Sequence, residues 1–150
     1  MPLREGKNRE KRFIFLEHTA DIKFQAFGKT LNKAFENSAL ALKEVISGKL
    51  KVKARINKKI KAEGRDNEAL LYRFLEQFLY LLDAENFLFS KIKKIKISDG
   101  KLEAEISGDL ASEYKFTNDV KAVTYNQMFV KQEEEKETGK RFICQVVLDV

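Results

Sequence analysis

Asp21 closes the tetrapeptide His18-Thr19-Ala20-Asp21, a short link between two strand-like segments where packing asks for no carboxylate. The sequence ends Val146-Val147-Leu148-Asp149-Val150, an apolar strand that runs to the last residue although chain ends ordinarily fray. That end offers the Asp149 side chain and the α-carboxylate of Val150 side by side. Carboxylate oxygens brought together repel and raise one another's pKa unless a cation sits among them. If Asp21 meets this end, the three carboxyl groups form a hard oxygen site suited to Ca²⁺, Mg²⁺ or Mn²⁺. Read without such a meeting, Asp21 is a turn cap and Asp149 a solvated edge residue. Lys121 is the third polar feature, the only charge in Val120-Lys121-Ala122-Val123-Thr124-Tyr125. It reads either as an outward-facing strand lysine or as a functional cation.

Other chemistries lack their residues. The sequence holds no Gly-x-x-x-x-Gly-Lys-Ser/Thr phosphate loop, no Gly-x-Gly-x-x-Gly turn and no Gly-x-Ser-x-Gly elbow. His18 is the single histidine, so a mechanism that needs a histidine pair fails. Cys144, the single cysteine, alternates with Phe142, Val146 and Leu148 and reads as a small core residue. A Cys144–His18 nucleophilic pair therefore stands only as a formal alternative. One cysteine also excludes an intrachain disulfide and the usual Cys-rich zinc site, and it suits a reducing cytoplasm.

The elements that must position these groups are legible in the periodicity. Residues 13–16 are a short apolar run, and Ile22, Phe24 and Ala26 alternate with Lys23, Gln25 and Phe27 in a half-buried strand pattern that ends at Gly28. Thr30 reads as an N-cap for a helix carrying Leu31, Ala34, Phe35, Leu42 and Ile46, which ends at Gly48. From Leu50 the period changes to two: Val52, Ala54, Ile56 and Ile60 alternate with lysines and Arg55, as in a strand with one wet face. That lysine-rich face reads as a solvated surface before it reads as an RNA platform. Asp66 caps a second helix, with Glu68 in its first turn and Leu71, Phe74, Leu75, Phe78 and Leu82 as an apolar stripe for a sheet. Residues 87–98 and 101–107 flank Asp99-Gly100, the strongest hairpin signal present. Residues 120–130 and 142–150 supply two more strands, separated by a charged segment over 131–140. About seven strands and two amphipathic helices, without regular βαβ alternation or a repeat, predict a single α+β domain: mainly antiparallel or mixed sheet with both helices packed on it.

Length and composition agree with one domain. The 150 residues can bury roughly 68–70% of the unfolded chain's surface. Hydrophobic residues make up 43% and charged residues 35%, which excludes the disordered and fibrous classes. No apolar run approaches the roughly 20 residues a bilayer span needs, so neither membrane insertion nor secretion is expected. The net charge is +6, and within residues 1–12 Arg4, Lys7, Arg9, Lys11 and Arg12 face only Glu5 and Glu10. Half of the excess thus falls on a basic N-terminal extension, read as a mobile, solvated end that can also attract phosphate.

Four ordered motifs carry a family resemblance. His18-Thr19-Ala20-Asp21-Ile22, residues 68–76 (Glu-Ala-Leu-Leu-Tyr-Arg-Phe-Leu-Glu), residues 120–125 with Met128, and the closing Asp149-Val150 resemble the archease family over residues 13–150. Residues 1–12 extend beyond the family's usual start, and Asn126 stands where many members have His, so no role is carried over to that side chain. The resemblance implies an archease-like fold and a cytoplasmic cofactor protein for an RtcB-type RNA ligase. That enzyme is GTP- and manganese-dependent and joins RNA ends in tRNA splicing and repair. Family members promote guanylylation of the ligase and allow its multiple turnover, without bond-making chemistry of their own. By the same resemblance Asp21, Asp149 and the carboxyl end at Val150 correspond to a divalent-metal site, with Ca²⁺ or Mn²⁺ as the ion. Lys121 corresponds to a basic residue needed for activation, and tRNA is contacted indirectly or weakly.

Two other function classes compete. A basic module that binds tRNA itself would show strong, salt-sensitive RNA affinity without ligase, yet the aromatic residues fall into core patterns and not among basic ones as stacking platforms. A small metal-dependent phosphohydrolase would need more than three carboxyl groups for two metals and a general base, and none stands out.

Overall fold

Helix α1 (Leu31–Ser47) starts where the Thr30 hydroxyl accepts the Lys33 N–H at 3.0 Å, and α2 (Asn67–Glu85) starts where Asp66 Oδ1 accepts the Ala69 N–H at 2.8 Å. Each side-chain oxygen satisfies one N–H that the first helical turn leaves unpaired. α2 ends at Asn86 in the left-handed region, with its N–H on the Leu81 carbonyl. The computed structural model describes residues 11–17, 20–137 and 139–150. The expectation for residues 1–12 therefore falls, apart from Lys11 and Arg12, outside the described residues.

Seven strands accompany the helices: β1 (Phe13–Leu16), β2 (Ile22–Gly28), β3 (Ile56–Glu63), β4 (Phe87–Ser98), β5 (Lys101–Leu110), β6 (Ala122–Glu135) and β7 (Gly139–Asp149). They form one sheet in the order β1-β2-β7-β6 and another in the order β3-β5-β4, with every pairing antiparallel. The α+β class and, among the described residues, two α-helices and seven strands agree with the sequence reading. The inner faces meet the helices in one core. Phe24, Ala26, Cys144, Val146 and Leu148 come from the first sheet, Leu102, Ala104 and Ile106 from the second, and Phe35, Leu42, Leu70 and Phe74 from the helices. The Phe35 and Phe74 rings stack with centroids 5.8 Å apart, locking α1 to α2 at the centre. Among the described residues no helix is long and apolar enough to cross a membrane.

Three local expectations differ from the structure. The strand expected from Leu50 begins only at Ile56. Residues 51–55 make other bonds instead: the Lys53 N–H donates to the Tyr114 hydroxyl at 2.9 Å, and Val52 O accepts the Ser90 hydroxyl at 2.7 Å. The charged segment expected to separate the last two strands is itself the β6–β7 hairpin, paired out to Glu135↔Gly139. Arg141 bridges Glu133 at 3.0 Å and Glu135 at 3.1 Å, so charge there decorates a two-stranded ribbon and does not interrupt it. Lys121, expected within a strand, precedes β6 by one residue.

The Asp99-Gly100 turn is as read, with both residues at positive φ (50° and 74°), the requirement of a two-residue hairpin. Gly108 has a different reason to be glycine. It lies in the central strand β5 between Ile56 and Phe89, and a Cβ there would collide with the Leu88 carbonyl oxygen and lie 2.7 Å from Phe87 Cζ. Gly108→Ala is expected to cost about 2–3 kcal/mol through overpacking, read as a lower urea midpoint at unchanged slope. An unchanged midpoint would show that β4 can yield there.

Candidate functional site

The end of β7 is the focus of the chemistry. β7 lies between β2 and β6, with Ile22↔Leu148 as the last recorded β2 pair and Ala122↔Asp149 the terminal β6 pair. The ladder stops there: Asp21 lies in the bend just before β2 and Asp149 just past Leu148, so both come to the same end of the first sheet. Asp21 is half-buried and Asp149 exposed. The Asp149 side chain leaves the face away from the helices, because Phe24↔Val146 and Ala26↔Cys144 turn the other set of side chains into the core. Val150 packs its side chain against that core, which anchors the last residue.

Lys121 joins the same end through the backbone: its N–H donates to the Asp149 carbonyl at 2.7 Å. Its side chain is exposed beside a groove lined by Glu76, Tyr80 and Asp83 of α2. Asp21, Asp149 and Lys121 are therefore brought to one end of the first sheet from three separate segments, Asp149 on the face away from the helices and the Lys121 side chain on the α2 side. Carboxylate oxygens are hard donors, which suit a hard divalent ion and not a soft one. Among the described residues no group of three His, Cys, Asp or Glu side chains could hold a metal ion, so such a site draws its third donor from the main chain or from outside the described residues. His18 and Thr19 lie outside the described residues.

Cys144 is ruled out as a nucleophile at neutral pH. Burial pushes its thiol up to about 12, and its side chain packs within the core opposite Ala26.

A feature missed by the sequence reading borders the tip. Between Thr124↔Val147 and Phe129↔Gln145, residues 125–128 bulge out of the β6–β7 ladder, with Gln127 at φ 55°. The Thr124 hydroxyl fastens the bulge by donating to Val147 O at 2.9 Å and accepting the Asn126 N–H at 3.2 Å. Asn126 is exposed there. Tyr125 lies flat on Tyr72 of α2, centroids 4.2 Å apart and 5° from parallel, and Gln145 reaches across to Gln127 O at 2.8 Å. The adjacent polar pair Asn126-Gln127, which breaks the alternation, is the one signal that could have revealed the bulge.

Comparison with known proteins agrees with the fold and the motif order. The Archease protein family (MTH1598/TM1083) matches residues 13–150. The chain is similar to the protein archease of Methanosarcina acetivorans, 36% identical over 146 residues that span 93% of this chain and 97% of the relative. It is likewise similar to that of Pyrococcus furiosus, 40% identical with 89% and 95% covered. The solution structure of Methanobacterium thermoautotrophicum protein 1598 superposes with a TM-score of 0.74 at 32% identity, covering 93% of this chain and 99% of that one. The crystal structure of a Thermotoga maritima archease, described as a possible chaperone, shares the fold with a TM-score of 0.59 at 19% identity, covering 90% and 94%.

Proposed function

This chain belongs to the archease family, and from that premise we propose that it activates an RtcB-type RNA ligase of tRNA splicing and RNA repair, promoting guanylylation of the ligase and its repeated turnover. It works as a cytoplasmic cofactor protein and not as an enzyme. Asp21, Asp149 and the α-carboxylate of Val150 bind a divalent metal, Ca²⁺ or Mn²⁺. A divalent ion bound there supplies charge neutralisation to a transferring nucleotidyl phosphate. Lys121 adds a fixed positive charge at the same tip, where phosphate charge in the ligase's active-site mouth must be offset.

One observation carries this reading: the end of β7 lies between the start of β2 and the start of β6, so an acidic pair and a lysine from distant segments share one exposed tip. A tip of this kind suits insertion into a partner's active site, since the bonds that hold it are backbone ladder bonds within the sheet. The description of the Thermotoga maritima relative as a possible chaperone points the same way in its broad class, action upon a partner protein.

The test is single-turnover guanylylation of the cognate ligase with GTP and Mn²⁺, with and without this protein. We expect faster label incorporation and conversion of a single-turnover ligase into a multiple-turnover one. No change in either, with both proteins folded, would overturn the proposal. Nucleotide hydrolysis by the purified protein with Mn²⁺, abolished by Asp21→Ala, would favour the phosphohydrolase reading instead.

A further inference from the structure

The outer face of the β3-β5-β4 sheet, opposite the core, carries a concentrated surplus of positive charge. Ile60, Ala62, Leu102, Ala104 and Ile106 turn inward, so the alternate positions face outward. These are Lys59, Lys61 and Glu63 on β3; Lys101, Glu103 and Glu105 on β5; and Lys91, Lys94 and Lys96 on β4. Lys93, in a bulge of β4, reaches the same face and donates to Asn57 Oδ1 at 3.5 Å. Seven lysines against three glutamates leave four positive charges there, of the chain's formal +6.

The arrangement is ordered. Lys59↔Glu105↔Lys94 and Lys61↔Glu103↔Lys96 form two cross-strand rows, each with its glutamate on the central strand and a lysine on either flank. Lys59, Lys61, Lys94 and Lys96 wall a hollow of about 250 Å³ floored by Glu103 and Glu105. None of the four has a carboxylate within 4 Å among the described residues, so their ammonium groups stand available. Along each flanking strand the lysines recur at roughly 7 Å, and the two flanks are about 9.5 Å apart.

We propose that this face binds the phosphodiester backbone of nucleic acid, without reading sequence. The chemistry favours that occupant over a protein or a membrane. A protein interface needs aromatic or aliphatic anchors at its centre, and a membrane-surface segment needs apolar groups to insert. This face has neither: the large exposed apolar residues Phe15, Tyr80, Leu110 and Tyr125 all lie elsewhere. Backbone binding needs only spaced cations, and lysine, a compact point charge, suits sequence-blind contact better than bidentate base readout. The site is separate from the carboxylate tip, and RNA is the natural probe only because the proposed partner is an RNA ligase.

The test uses the full chain without ligase or added metal. Binding of a labelled 20-nucleotide RNA hairpin is followed by fluorescence anisotropy across a salt series, for the wild type and for the Lys59→Gln/Lys61→Gln/Lys94→Gln/Lys96→Gln variant. We expect the slope of log K against log salt to become shallower by about 3, and affinity at 0.1 M salt to fall more than tenfold. Should the fourfold variant unfold, Lys94→Gln/Lys96→Gln alone should lower the slope by about 1.5. The proposal is overturned if the wild type fails to bind the hairpin at low salt, if the folded variant keeps the wild-type slope, or if phosphatidylserine vesicles bind and RNA does not. Because no ligase is present, failure here leaves the activator reading standing, and binding leaves the choice between activator and RNA-binding module to the guanylylation assay.

Discussion

Asp149→Ala is expected to abolish ligase stimulation while leaving the fold in place. The Asp149 side chain is exposed, and its structural contribution is made by the backbone, whose carbonyl accepts the Lys121 N–H and whose strand pairs with Ala122. Alanine keeps both, so stability should move by no more than about 0.5 kcal/mol. Function is a different matter, because the substitution removes one of three carboxyl donors. Loss of groups that merely support a metal ligand costs roughly 10–100-fold in affinity, and a ligand should cost at least as much. A glycine appended after Val150 should act likewise: it replaces the carboxylate with a neutral amide and carries the charge about 3.5 Å away. The two changes share no side chain, so failure of both isolates the carboxyl cluster. Full stimulation by either variant with normal Mn²⁺ affinity would remove the carboxylates from the account.

Lys121→Ala should separate binding of the ion from activation. The lysine side chain is exposed and its main-chain bond to Asp149 survives the change. The Lys121 side chain lies on the α2 side of the sheet end and Asp149 on the other, so repulsion with the ion is weak and Mn²⁺ affinity should stay about the same. The guanylylation rate, which depends on offsetting phosphate charge, should fall on the order of 10²-fold, the usual cost of losing one electrostatic donor. Lys121→Arg retains the charge in a planar fork and should restore only part of the rate. Loss of metal affinity in Lys121→Ala would make the lysine part of the scaffold and contradict the role given to it.

How far the sequence foretells this arrangement depends on the range of the interaction. Thr30 and Asp66 name the helix starts because capping acts within three residues, and Asp99-Gly100 names its turn because positive φ is a local demand. The late start of β3 was not legible, since residues 51–55 follow the alternation of a strand while bonding to Tyr114 and Ser90, far along the chain. The charged segment over 131–140 reads as a separator between two strands because charge is a poor guide in a two-stranded ribbon whose faces are both wet. The candidate site divides in the same way. Asp21, Asp149 and Lys121 could be nominated by residue type, each standing where packing does not ask for it. Their convergence follows from the strand order β2-β7-β6, a property of pairings more than a hundred residues apart in sequence for β2 and β7, which no local pattern encodes. The bulge that sets Tyr125 on Tyr72 left only a two-residue break in alternation.

The most direct measurement is the anomalous scattering of a crystal of this protein soaked in Mn²⁺. The account predicts one strong peak at the end of β7, with oxygens of Asp21, Asp149 and the Val150 carboxylate at roughly 2.0–2.6 Å, and its loss in Asp149→Ala crystals. A peak elsewhere, or none at a concentration that supports activation, would contradict it.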